Sequence, residues 1–306
     1  MQKRKLGKSG LEIAPLVLGG NVFGWTADKA TSFAVLDAFL EAGFNAVDTA
    51  DVYSSWVPGH VGGESETVIG DWMRDRGNRD RVVLITKVGF SKGLKAGYIA
   101  AAVEDSLRRL KTDRIDLYFS HKADPATPIE ETLEAHQKLI DAGKVRAVGA
   151  SNYDAAGLKD ALDKSGGKRA RYTVLQPHYN LLVRDQYEGA IEDICVKEGL
   201  GVIPYFALAS GFLTGKYRSE ADLGKSARGG GMKKNLNKRG LDILAALDRV
   251  ASAHSATPAQ AALAWLMARP SITAPIASAT SVAQLKELTP AASLKLTAED
   301  MKTLDL

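Results

Sequence analysis

The 306-residue chain contains one cysteine, Cys195, and five histidines, and its apolar runs are short. A single cysteine forms neither an internal disulfide nor, alone, a thiolate metal site, so a reducing cytoplasmic setting is expected. Runs such as Ile99–Val103 fall well below the roughly 20 apolar residues that span a bilayer, so no membrane segment is expected. Met1 to Lys5 is basic but leads into Gly7-Lys8-Ser9-Gly10 and not an apolar stretch, so no secretory signal is expected either. Charge of one sign is also scarce. The net charge of +4 is spread along the chain, without the basic stripe that nucleic-acid binding requires. Neither G-x-G-x-x-G nor a P-loop, H-x-H or H-E-x-x-H is present, which disfavours a Rossmann domain, P-loop chemistry and the common zinc sites.

What is present is a regular alternation. Strand-length apolar runs occur at 16–18, 44–47, 82–85, 115–119, 145–148, 173–175, 201–203 and 272–276. Helical periodicity fills the intervals at about 29–42, 64–75, 96–110, 128–142, 154–164, 185–198 and 257–268, with 281–288 after the last run. Continuous apolar strands alternating with helices indicate a parallel sheet covered on both faces, and eight such units close a barrel. The expected fold is therefore a single-domain (β/α)8 barrel over 1–306. Gly43, Gly143 and Gly199 sit where left-handed residues end helices. Segments 3–6 and 11–14 flank a turn, an expected hairpin plugging one end. From Leu208 to about Asn237 a glycine-rich, basic stretch follows the seventh run; it is expected to be a long flexible binding loop.

In such barrels chemistry lies at the carboxyl ends of the strands. Asp48 ends the second strand, Tyr53 lies in the loop after it, Lys87 ends the third strand and His121 follows the fourth. A buried lysine needs a carboxylate, which Asp48 supplies, and the cationic Lys87 favours the phenolate of Tyr53. Tyr53 thereby becomes a usable proton donor or acceptor, and His121 can orient a carbonyl oxygen beside it. Each residue alone also has a structural explanation, but four at consecutive strand ends form a constellation.

The stretches Gly43–Tyr53, Ile85–Lys87, Asp113–His121, Gly143–Asn152, Gln176–Asn180 and Gly211–Tyr217 together resemble the aldo-keto reductase family across most of the chain. The resemblance implies an NAD(P)H-dependent reductase of aldehydes or ketones. Asp48, Tyr53, Lys87 and His121 would form its catalytic tetrad, with Tyr53 the proton donor. It further implies that Ser151, Asn152 and Gln176 hold the carboxamide, that Tyr205 stacks on the nicotinamide, and that Leu208, Ser210 and Gly211 run along the pyrophosphate. Gly20 and Asn21 join these cofactor contacts. Arg218 and Arg228, farther along that loop, are candidate charge partners for the pyrophosphate, and Ser278, Thr280, Gln284 and Glu287 would lie at the adenosine end.

Relatives carry a basic residue at the position of Thr280 and an asparagine at that of Leu288. Their absence leaves NADPH, the first expectation, open to NADH or dual use. Trp25 and Trp56 are expected to line the mouth for a neutral small-molecule carbonyl substrate. Two other readings remain: a Schiff-base lyase using Lys87, and a non-catalytic nicotinamide-binding, redox-sensing subunit.

Overall fold

The chain begins as a short hairpin, β1 (Arg4–Lys5) and β2 (Glu12–Ile13), paired antiparallel in a computed structural model that describes residues 2–226 and 229–306. Eight parallel strands follow: β3 (Val17–Gly19), β4 (Ala46–Asp48), β5 (Val83–Val88), β6 (Ile115–Ser120), β7 (Val145–Ser151), β8 (Tyr172–Gln176), β9 (Gly201–Val202) and β10 (Ile276–Ala277). They lie in the order β10-β3-β4-β5-β6-β7-β8-β9. The open edge is joined by backbone bonds from the Thr273 and Ala274 N–H groups to Val202 O and from Ile276 N–H to Pro204 O. The fold is the expected (β/α)8 barrel.

Local chemistry starts and stops the helices. α1 (Lys29–Glu41) is capped by Asp28, whose side chain accepts from Thr31 N–H, and is followed by left-handed Gly43 (φ 87°). α2 (Glu64–Arg76), α3 (Ala96–Leu110), α4 (Ile129–Asp141) and α5 (Ala155–Asp163) succeed it, and Gly143 after α4 is again left-handed. α6 spans Ala190–Glu198 and ends on Gly199, five residues shorter at its start than the periodicity suggested. α8 (Pro258–Ala268) opens with Pro258 behind a Thr257–Gln260 capping box. α9 (Val282–Leu288) and α10 (Ala298–Leu304) complete the chain.

Two sequence expectations need correction here. The glycine-rich stretch contains 3₁₀ turns at Ala209–Thr214, Glu220–Lys225 and Gly229–Asn235, and it leads directly into an unexpected sixteen-residue helix, α7 (Lys238–Ala253). Asn237 caps α7, and Ile243, Leu244, Leu247 and Val250 bury its apolar stripe. The eighth strand contracts to two residues because Pro275 precedes it and removes a ladder donor.

Side chains sort onto the two faces of the barrel wall. Leu117 and Phe119 of β6 join an interior cluster with Val17, Ala46, Ile85, Ala147, Val174 and Ile203, whereas Tyr118 between them packs outward against the helices. Leu6, Leu11 and Ile13 of the hairpin segment belong to the interior cluster, so the hairpin closes the barrel at the amino-terminal end of the strands. Its approach is close: a Cβ on Gly7, which is left-handed (φ 54°), would lie 2.1 Å from Gly201 N. Burying each leucine contributes about 1.5–3 kcal/mol.

Candidate active site

The opposite end of the barrel interior is polar. Asp48 is the last residue of β4 and Lys87 the next-to-last of β5; both are buried, Lys87 completely. Lys87 Nζ donates to Asp48 Oδ2 at 2.7 Å, to the Thr49 carbonyl at 2.7 Å and to Tyr53 Oη at 3.1 Å. These acceptors use all three ammonium protons. Burial opposes the charge on Lys87, but the charges and hydrogen bonds of Asp48 and Tyr53 outweigh it and hold the amine above its ordinary pKa. Burial also pushes the Asp48 carboxyl up, against the pull of Lys87 and of Gln176, whose Nε2 donates to Asp48 Oδ1 at 3.0 Å.

From Gln176 one hydrogen-bonded chain crosses the neighbouring strand ends. Ser151 Oγ donates to Gln176 O, and Asn152 Nδ2 donates to both Ser151 Oγ and the carbonyl of His121. Tyr205 Oη donates to Asn152 Oδ1 at 2.7 Å. The Asn152 backbone is left-handed (φ 55°), a conformation asparagine adopts more readily than most residues and one that turns its amide back across the strand ends. His121 lies beside Tyr53, with ring centroids 6.1 Å apart, and its Nδ1 is buried without a partner. Burial and then the charge of Lys87 push the imidazole pKa down to about 2, so the ring is neutral.

Aromatic side chains form the rim. Trp56 meets Tyr53 edge-on at 5.6 Å and Trp25 at 5.7 Å. Phe90, half exposed, packs on His121 at 4.9 Å, and His178 stacks on Tyr205 at 5.2 Å. Phe90 escaped the sequence reading although it lies three residues past Lys87, where a strand-end count would have found it. Gln176 serves Asp48 through its amide, a link that its place at a strand end did not reveal.

The remaining expected cofactor residues lie on adjacent loops. Gly20 N–H donates to Asp48 O, and Ser278 Oγ donates to Asn21 Oδ1 at 2.6 Å. A Cβ on Gly19 would stand 2.5 Å from Ser278 Oγ, so the loops after β3 and β10 touch. Thr280 donates through its N–H and Oγ1 to Gln284 Oε1, while the carbonyl of exposed Glu287 accepts from Gln260. Leu208, Ser210 and Gly211 follow β9 in a segment where Phe206, Ala209, Ser210 and Gly211 all have positive φ. Arg218 is committed elsewhere, forming a bidentate pair with Asp248; Arg228 lies outside the described residues. No group of three or more His, Cys, Asp or Glu side chains suited to a metal occurs among the described residues, and no helix of theirs is long and apolar enough to cross a membrane.

Comparison with known proteins agrees with this architecture. A profile of the Aldo/keto reductase family matches residues 15–306. The chain is 32% identical to an uncharacterized oxidoreductase, YrpG, of Bacillus subtilis, covering 100% of this chain and 95% of that one. It is 33% identical to a probable voltage-gated potassium channel subunit beta of Arabidopsis thaliana, over 94% and 90% of the two chains, and 31% identical to norsolorinic acid reductase of Aspergillus flavus, over 97% and 78%. With a family profile spanning nearly its whole length, the chain belongs to the aldo/keto reductase family.

Proposed function

We propose that the protein is a cytoplasmic NAD(P)H-dependent carbonyl reductase that converts neutral aldehydes or ketones to alcohols. The observation that carries this reading is the contact of Lys87 Nζ with both Asp48 and Tyr53 Oη at the open end of the barrel. When bound, the nicotinamide supplies the hydride. Tyr53 donates a proton from Oη to the carbonyl oxygen, and the adjacent ammonium stabilises the phenolate left behind. Asp48 keeps that ammonium charged in a buried setting. Neutral His121, whose ring lies beside Tyr53, is suited to hydrogen-bond the same oxygen through a ring nitrogen without supplying a charge.

The residues present fit a nicotinamide nucleotide. Ser151, Asn152 and Gln176 present amide and hydroxyl groups together at the strand ends, beside the Tyr205 ring. Beyond them, Leu208, Ser210 and Gly211 lie in a tight turn segment after β9, with positive φ at Ala209, Ser210 and Gly211, along which the pyrophosphate would run. At the adenosine end, Ser278, Thr280 and Gln284 are uncharged and Glu287 is acidic. NADPH remains the first candidate, with NADH or dual use supported by the lack of a basic side chain at Thr280. Trp25 and Trp56 offer apolar walls for the substrate.

The Schiff-base reading is weaker, since a nucleophilic lysine must be neutral and Lys87 is held cationic on three acceptors. The channel-subunit relative favours a second reading, a nicotinamide-binding sensor with little turnover. Fluorescence titration with NADPH and NADH, followed by turnover of 4-nitrobenzaldehyde, separates the readings. Binding with turnover supports the reductase, binding without turnover supports the sensor, and no binding overturns both.

A further inference from the structure

We propose that Glu64, which stands outside the tetrad, is a positioning residue for Tyr53, its carboxylate latching the 53–62 loop to the first turn of α2. The proposal rests on the reductase reading. Tyr53 opens a loop that also carries Trp56, and its hydroxyl must stay against Lys87 for proton donation. The peptide following Tyr53 is held on both sides: Gly63 N–H donates to Tyr53 O at 2.7 Å, and Ser54 N–H donates to Glu64 Oε2 at 3.2 Å.

The far end of the loop reaches the same carboxylate. Val61 N–H donates to Glu64 Oε1 at 2.8 Å, and Gly62 N–H is shared between Oε1 and Oε2 at 3.2 and 3.1 Å. Gly62 and Gly63 make this convergence possible with φ of 97° and 86°, and a Cβ on Gly62 would crowd Asp51 O at 2.9 Å. Burial raises the Glu64 pKa, but the hydrogen bonds from Val61, Ser54 and its own N–H, with the charge of His60, outweigh it and hold the carboxyl below its ordinary value.

The latch is anchored to a rigid support. In the same first turn of α2, Ser65 Oγ donates to Gly20 O and accepts from Thr49 Oγ1, while buried Glu66 accepts from Thr86 Oγ1 and Arg109 Nε. Glu64 thus transfers the fixed position of α2 to the backbone beside Tyr53. Inside the loop, Ser54 Oγ and His60 Nδ1 are paired at 2.8 Å, which keeps the span compact between its latched ends.

Glu64→Gln removes the charge and puts an NH₂ group where one oxygen accepted. Glu64→Asp keeps the charge at the start of α2 but shortens the reach by one methylene. Both variants are expected to lower kcat for 4-nitrobenzaldehyde roughly tenfold, since small misplacements of reacting groups carry penalties of this order. The Kd for NADPH should stay within about twofold, because the expected nucleotide contacts lie on other loops. Hydrogen exchange at Ser54, Val61 and Gly62 should accelerate in both.

A kcat within twofold of wild type in both variants, or a lower kcat with unchanged exchange at those amides, would overturn the latch. Failure of the reductase reading shows differently, as a wild type that binds nucleotide but does not turn over.

Discussion

The two ends of the barrel contain different chemistry. At the amino-terminal end Leu6, Leu11 and Ile13 fill the interior from the hairpin, whereas at the carboxyl end Asp48 and Lys87 occupy the same column of space. Apolar closure contributes directly to stability through surface removed from water. A buried ion pair returns little net stability, because desolvation offsets most of its attraction. One end of the interior stabilises the fold, while the other holds charges whose value lies in chemistry.

The largest expected effect breaks the polar end. Lys87→Met should lower turnover about a thousandfold and, by leaving Asp48 buried without its counter-ion, destabilise the protein by about 3–5 kcal/mol. Adding Asp48→Asn should recover most of that stability without restoring turnover, as measured by urea unfolding and steady-state kinetics. A double variant as unstable as Lys87→Met would mean that the pair does support the fold.

The apolar end should give the opposite pattern. Leu6 is fully buried, and Leu6→Ala is expected to cost about 2–4 kcal/mol through lost burial and the cavity left behind, with kcat unchanged. A large change in kcat would show that the two ends are coupled.

Acid titration sharpens the contrast further. His121 at the polar end is pushed down to about 2, and His136, buried on α4, to about 4, in both cases first by burial. Both titrate near 6.5 when unfolded, so below about pH 6.5 the unfolded chain binds more protons and stability falls with pH, by about 1.4 kcal/mol per unit for each histidine. Asp51, raised to about 6 chiefly by burial, acts in the opposite sense between that value and its ordinary one. Relative to wild type, His136→Gln should remove about 1.4 kcal/mol per unit from the acid slope between pH 6 and 4.5 in urea unfolding. An unchanged slope would contradict the burial of a neutral imidazole.

The smallest expected effect concerns the rim. Trp56→Ala removes two edge-on aromatic contacts and should raise KM for 4-nitrobenzaldehyde severalfold, each such contact being worth about 0.5–1.5 kcal/mol. Nucleotide affinity should not change. An unaltered KM would move the substrate away from this wall.

The barrel and the grouping of Asp48, Tyr53, Lys87 and His121 were legible because strand ends carry a positional code: apolar runs mark the strands, and the residues just past them face one opening. α7 was not legible. Its stripe of Ile243, Leu244, Leu247 and Val250 is regular, but no strand-length run separates it from α8, so the alternation of strands and helices gave it no interval of its own. α10 is only seven residues long, too short for periodicity to stand out, and β10 only two. Pairings across the fold, such as Gln176 with Asp48 or Glu64 with Ser54, depend on backbone placement and leave no mark in residue spacing.

The role of Tyr53 is tested by Tyr53→Phe, with NADPH affinity and 4-nitrobenzaldehyde turnover measured on the same preparation. Loss of the proton donor predicts turnover reduced about a thousandfold with Kd for the nucleotide within about twofold of wild type. Turnover near the wild-type rate would contradict the assignment of Tyr53 as the proton donor and, with it, the role given to the Asp48–Lys87 pair.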